Sequence, residues 1–138
     1  MAYKITLSNK NKEIAESLLF DVAKSLDILS VKYWLEGGTL LGIKRESRLL
    51  PWDNDLDLSI NSSEVSKIDD LIMNLKSKNL RVRVRKFDNT TEFFNKGDIR
   101  IIKIRNKRFF NLLKGSVCLE IFVKYPKKEN TYWMIGNT

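Results

Sequence analysis

Asp55 and Asp57 stand two residues apart in Asp55-Leu56-Asp57-Leu58-Ser59-Ile60. In a strand, residues two apart point the same way, so both carboxylates would share one face while Leu56, Leu58 and Ile60 anchor the other in a core. Two carboxylates 4 Å apart repel by roughly 4 kcal/mol at an effective dielectric near 20. A divalent cation between them offsets that repulsion, and oxygen ligands on a rigid strand suit Mg²⁺ or Mn²⁺. Upstream, Gly37-Gly38-Thr39 ends a short apolar run where a helix is expected to begin. The N–H groups and positive dipole end of such a turn hold phosphate. Metal carboxylates beside a phosphate loop point to phosphoryl or nucleotidyl transfer. Each motif alone is more often structural; their order, with Pro51-Trp52-Asp53 just before the acidic pair, favours a site.

The whole segment reads Gly38-Thr39-Leu40-Leu41-Gly42, then Arg45, Leu49-Leu50, Pro51-Trp52-Asp53, Asn54 and Asp55-Leu56-Asp57. In this order and spacing, without a gap, it resembles the LicD/fukutin family of the nucleotidyltransferase-fold superfamily. Two positions depart from the family pattern: Asn54 replaces a common Asp, and Arg48 stands where Gly is usual. Asn54 should leave the acidic pair intact. Arg48 should restrict the turn, because a side chain with Cβ tolerates positive φ poorly. The resemblance covers roughly residues 13 to 135 and only the first portion of the family domain. The chain is expected to be one domain over residues 1–138, shorter than usual for the family, stopping at Gly136-Asn137-Thr138.

The resemblance also implies a third acid on a later strand. Glu120 in Val117-Cys118-Leu119-Glu120-Ile121-Phe122-Val123 fits, with Glu where the family usually has Asp. A charge inside such an apolar run is costly unless paired or metal-bound. The competing reading pairs Glu120 with Arg100, Lys103 or Arg105; Asp98 is a weaker candidate for the third acid. The expected site is then Asp55, Asp57 and Glu120 as catalytic and metal-holding residues. Gly37, Gly38, Thr39, Arg45 and Asp53 are expected around the phosphate, with Arg45 bonded either to phosphate or to Asp53.

Composition narrows the chemistry further. The 138 residues contain no histidine, which removes histidine triads and histidine metal sites. One cysteine, Cys118, excludes an internal disulfide and lies in an apolar run that suits a core residue. No run approaches the roughly 20 apolar residues of a membrane span, and the first residues do not form a signal peptide, so a cytoplasmic location is expected. The net charge of +8 suits anionic ligands, nucleic acid or plain solubility alike and does not choose among them.

The elements that must position the site follow from periodicity. Ile14, Leu18, Val22, Leu26 and Leu29 trace one face of a helix across 11–30. Tyr33 to Glu36 is a short strand, Thr39 to Glu46 a helix with Thr39 as possible cap, and Asp55 to Ile60 a strand. A helix capped by Ser62 or Ser63 should run to about Lys78. Leu80 to Arg85 alternates strictly and puts Arg81, Arg83 and Arg85 on one face, read as the solvated face of an edge strand. Strands over 99–105 and 116–125 follow a loop at 88–97. This order suits an α+β domain, and the resemblance implies a nucleotidyltransferase-like mixed β-sheet with helices packed on it.

The resemblance implies a metal-dependent transferase moving a phospho-alcohol, such as phosphocholine or ribitol phosphate, from a CDP-linked donor to a glycan. One alternative keeps the fold but uses an NTP on a small molecule, protein or RNA end. The Pro-Trp-Asp turn argues against it, so nucleic acid is a possible partner but not the favoured one. The other alternative is a binding module without catalysis.

Overall fold

The computed structural model describes residues 5–108 and 113–135; the three C-terminal residues noted above lie outside them. Among the described residues the order is α1 (Lys10–Ile28), β1 (Tyr33–Leu35), α2 (Gly37–Glu46), β2 (Leu56–Asn61), a 3₁₀ segment (Ser62–Lys67), α3 (Ile68–Ser77), β3 (Arg81–Lys86), β4 (Ile99–Arg108), β5 (Leu113–Lys127) and β6 (Asn130–Tyr132). The fold is α+β, with a six-stranded mixed sheet in the order β1-β2-β5-β4-β3 and β6 added to β5.

One sheet face carries the core. Leu56, Leu58 and Ile60 of β2 stand opposite Leu119, Ile121 and Val123 of β5, and all six are buried. Ile102 and Ile104 of β4 continue this layer. Leu18, Val22 and Leu26 of α1 and Ile68, Leu71 and Leu75 of α3 cover it from the helix side. Each such side chain contributes about 1.5–3 kcal/mol on burial. This layer fixes the register of β2, because a one-residue slip would send Asp57 into the core and Leu58 into solvent.

Several boundaries differ from the sequence reading. Helix α2 begins two residues before Thr39, with Glu36 in extended backbone at its N-cap. Thr39 therefore lies inside the helix and does not cap it. The segment after β2 starts as a 3₁₀ turn whose cap is Asn61, not a serine: Asn61 Oδ1 accepts from the Ser63 N–H at 3.1 Å. Asx side chains compete well for such positions. Strands β4 and β5 run longer than expected, and β6 was not anticipated. The residue with positive φ after α2 is Ser47, at φ 54°, so the turn places its left-handed position one residue before Arg48. Cys118 is fully buried, as the apolar run implied. Strand β3 is a sheet edge with Arg81 and Arg83 exposed, as the alternation implied.

Leu58 sits centrally in this layer with no exposed surface. Leu58→Ala is expected to cost about 2–5 kcal/mol in urea unfolding, the range for deleting a fully buried leucine side chain.

Candidate active site

The second sheet face carries the chemistry. Parallel pairing sets Asp57 of β2 directly beside Glu120 of β5, and Lys103 of β4 lies on the far side of Glu120. Neighbouring strands are about 4.8 Å apart, so in-register carboxylates on one face are forced close together. Asp55 enters from the residue before β2. One carboxylate oxygen from each of Asp55, Asp57 and Glu120 lies within 4.8 Å of the other two.

The protonation behaviour follows from this crowding. Burial pushes the Asp57 carboxyl up to about 7, and the charges of Asp55, Glu120, Asp53 and Glu36 add to the rise. Burial likewise pushes Asp55 up to about 6, with Glu120 and Asp53 adding and Lys103 opposing. Both groups resist ionisation where a carboxylate normally ionises freely. Lys103 Nζ lies 3.0 Å from Glu120, so the ion pair considered from sequence exists and sits inside the acidic cluster instead of replacing it. Asp98 is not part of the cluster; it begins the approach to β4, where its charge helps raise Tyr125.

The glycine turn is shaped around these carboxylates. Gly37 has φ +52°, and a Cβ there would lie 3.2 Å from Asp57 Oδ2. A Cβ on Gly38 would lie 2.0 Å from Asp53 Oδ2, so the missing side chain is what lets Asp53 pack on the start of α2. Thr39 is buried and its Oγ1 accepts the Asp57 N–H at 2.9 Å. The Glu36 N–H donates to the Asp57 carbonyl at 2.9 Å. These two bonds clamp the α2 N-terminus onto β2. Asp53 itself is a turn residue: its Oδ1 accepts the Asn54 N–H at 2.9 Å, and its carbonyl accepts from Leu7 at 2.8 Å.

Arg45 does not make the bond to Asp53 that was one of its two expected roles. It is exposed and pairs with Glu46 at 3.2 Å, a carboxylate it shares with Arg48 at 2.8 Å. The brace to Asp53 does not form, because Glu46 is the nearer carboxylate on the same helix end.

A cavity opens beside the acidic trio. Besides the trio it is lined by Glu36, Gly37, Phe122, Lys124, Trp133 and Ile135. Sequence reasoning missed Glu36, Lys124 and Trp133. Lys124 was within reach of the period-two rule used for the aspartates, since Glu120, Phe122 and Lys124 alternate onto one face of β5. Trp133 lies beyond β6 and carries no such signal.

The oxygen-only donor set of Asp55, Asp57 and Glu120 fits a hard divalent ion. The family profile described as LicD/FKTN/FKRP, nucleotidyltransferase domain, matches residues 30–136. The chain belongs to this family. It is 46% identical over 46 residues to the human protein named ribitol 5-phosphate transferase FKRP, covering 33% of this chain and 9% of that one. It is 41% identical over 49 residues to human ribitol-5-phosphate transferase FKTN, 36% of this chain and 11% of that one. An uncharacterized Rickettsia typhi protein is 25% identical over 123 residues, 89% of this chain and 32% of that one. The chain thus spans about a third or less of the length of these relatives.

A pH prediction follows. The folded pKa values of Asp55 and Asp57 lie above the unfolded value, so the stability linked to them is full below about pH 4 and lost as pH rises through about 6 and 7. Glu36, Glu46 and Glu64 are shifted downward and act only at lower pH. The melting temperature of metal-free protein should fall between pH 5 and 8. Asp57→Asn should flatten this fall and melt above wild type at pH 8; a steeper fall in the variant would contradict the assignment.

Proposed function

We propose that this domain transfers a phospho-alcohol from a CDP-linked donor to a hydroxyl acceptor, with Asp55, Asp57 and Glu120 as the oxygen set for Mg²⁺ or Mn²⁺. The observation that carries the reading is the convergence of three carboxylates from adjacent strands beside the N-terminus of α2. Membership of a nucleotidyltransferase-domain family supports it, as do the ribitol-phosphate transferase names of two relatives. When bound, the ion would supply Lewis-acid stabilisation of charge on the phosphoryl oxygens.

The residues themselves divide the remaining work. The first N–H groups of a helix lack intrahelical partners, so Gly37, Gly38 and Thr39 offer donors to a donor phosphate. Asp53 holds the preceding turn in place through its bond with Asn54. In the reaction, an acceptor hydroxyl oxygen bonds to the alcohol-bearing phosphorus while the bond from that phosphorus to the bridging oxygen breaks. CMP leaves with the bridging oxygen, and a carboxylate of the trio takes the hydroxyl proton. A glycan is the acceptor class proposed, and the site is proposed to work as a single unit within residues 1–138.

Nucleotidyl transfer from an NTP would use the same trio. Its specific support is the basic sheet face, where Arg81 stands opposite Arg105 and Arg83 opposite Lys103. The two reactions differ in product: CMP from a CDP-alcohol, or pyrophosphate from an NTP.

Calorimetry with CDP-ribitol and CDP-choline, with and without Mg²⁺, tests the proposal together with CMP release. Metal-dependent binding of a CDP-alcohol is expected. Asp57→Asn should lower turnover by roughly 10²–10³-fold, the scale of several kcal/mol of charge stabilisation. Pyrophosphate release from an NTP without CMP release from either donor would reverse the ranking of the two reactions.

A further inference from the structure

We propose that Lys124 is a ligand for the donor diphosphate, its ammonium held by Glu36 and Trp133 in the donor-free site and passed to the diphosphate on binding. This rests on the reading of the site as one for a nucleotide-linked donor. Lys124 follows Glu120 and Phe122 on the same face of β5 and lines the cavity beside the trio.

Three observations converge on it. First, the residue is 3% exposed although it carries a full charge. Its Nζ lies 3.2 Å from Glu36 Oε1 and 3.2 Å from the centroid of the Trp133 ring. An ammonium has three donors, and these contacts use one carboxylate oxygen and one aromatic face. A buried ion pair is a weak source of stability, because desolvation offsets the attraction. Second, Glu36 is itself held in place. Trp34 Nε1 donates to Glu36 Oε1 at 2.7 Å, the same oxygen that faces Lys124. Third, four carboxylates line the cavity, Glu36, Asp55, Asp57 and Glu120, and among its described lining residues Lys124 alone carries positive charge. An anionic donor entering this field needs cations to meet it. Lys124 supplies one from the described lining of the cavity.

A purely structural Glu36–Lys124 pair makes a different prediction. Breaking it from either side would cost stability, and neither change would alter donor affinity. If Lys124 binds diphosphate, the two partners separate: removing Lys124 weakens the donor, and neutralising Glu36 does not.

The experiment measures CDP binding in Mg²⁺ by calorimetry for wild type, Lys124→Met, Lys124→Arg and Glu36→Gln, with Mg²⁺ affinity measured alone. Lys124→Met should weaken CDP at least tenfold with Mg²⁺ affinity unchanged. Lys124→Arg should recover most of the loss, and Glu36→Gln should bind CDP as tightly as wild type or more so. A second readout keeps Lys124 and Glu36 unchanged. With Trp34→Phe and Trp52→Phe, Trp133 becomes the sole tryptophan of the chain. CDP or inorganic pyrophosphate, but not cytidine, should then shift its emission as the ammonium leaves the ring. Equal CDP affinity in wild type and Lys124→Met, or a silent Trp133 on CDP binding, overturns the role of Lys124 and leaves the transferase reading intact. No CDP binding by wild type in Mg²⁺ overturns both.

Discussion

Mutual repulsion among Asp55, Asp57 and Glu120 is the constraint around which this structure is arranged. At about 4 Å each pair costs roughly 4 kcal/mol at an effective dielectric near 20, comparable with a large fraction of a domain's net stability. The protein holds the charges together because the opposite face of the same strands is fully apolar. Leu56, Leu58, Ile60, Leu119, Ile121 and Val123 lock β2 and β5 in parallel register. Any slip that separated the carboxylates would expose that layer. Core packing therefore supplies the free energy that keeps the acidic face strained. Burial pushes the Asp55 and Asp57 carboxyls to about 6 and about 7, and the neighbouring carboxylates add to the rise.

The neighbouring groups moderate this field without cancelling it. Lys103 meets Glu120 on one side, and Thr39 and Glu36 tie the Asp57 backbone to α2. Gly37 and Gly38 let the start of that helix approach the carboxylates closely, where any side chain would press on Asp57 or Asp53. The helix N-terminus thus brings its positive end to the most negative part of the molecule, an arrangement favourable for both. Lys124 adds a buried cation to the cavity lining, held between Glu36 and Trp133.

Much of this was legible in the sequence because it obeys short-range rules. The alternation around Asp55 and Asp57 gave the shared face, the apolar periodicity gave α1, and an unbroken family pattern from Gly38 to Asp57 implied the fold. Glu120 was identifiable as a charge that its apolar run could not tolerate alone. What escaped depended on competition among nearby groups or on distant contacts. Arg45 pairs with Glu46, the neighbouring residue, and not with Asp53. Thr39 looked like a cap, but the bond from Asp57 uses its hydroxyl from inside the helix. Asn61 won the next cap over two serines. Trp133 reaches the site from beyond β6, and no local pattern marks that approach.

The central claim is that the trio is a divalent-cation site, and the most direct test is anomalous diffraction from crystals grown with Mn²⁺ and CDP. A manganese peak is expected with oxygens of Asp55 and Asp57 at about 2.0–2.2 Å, the range for small hard cations, and with Glu120 in or beside its coordination shell. A well-ordered structure at saturating Mn²⁺, with no anomalous peak at these carboxylates, would contradict the account.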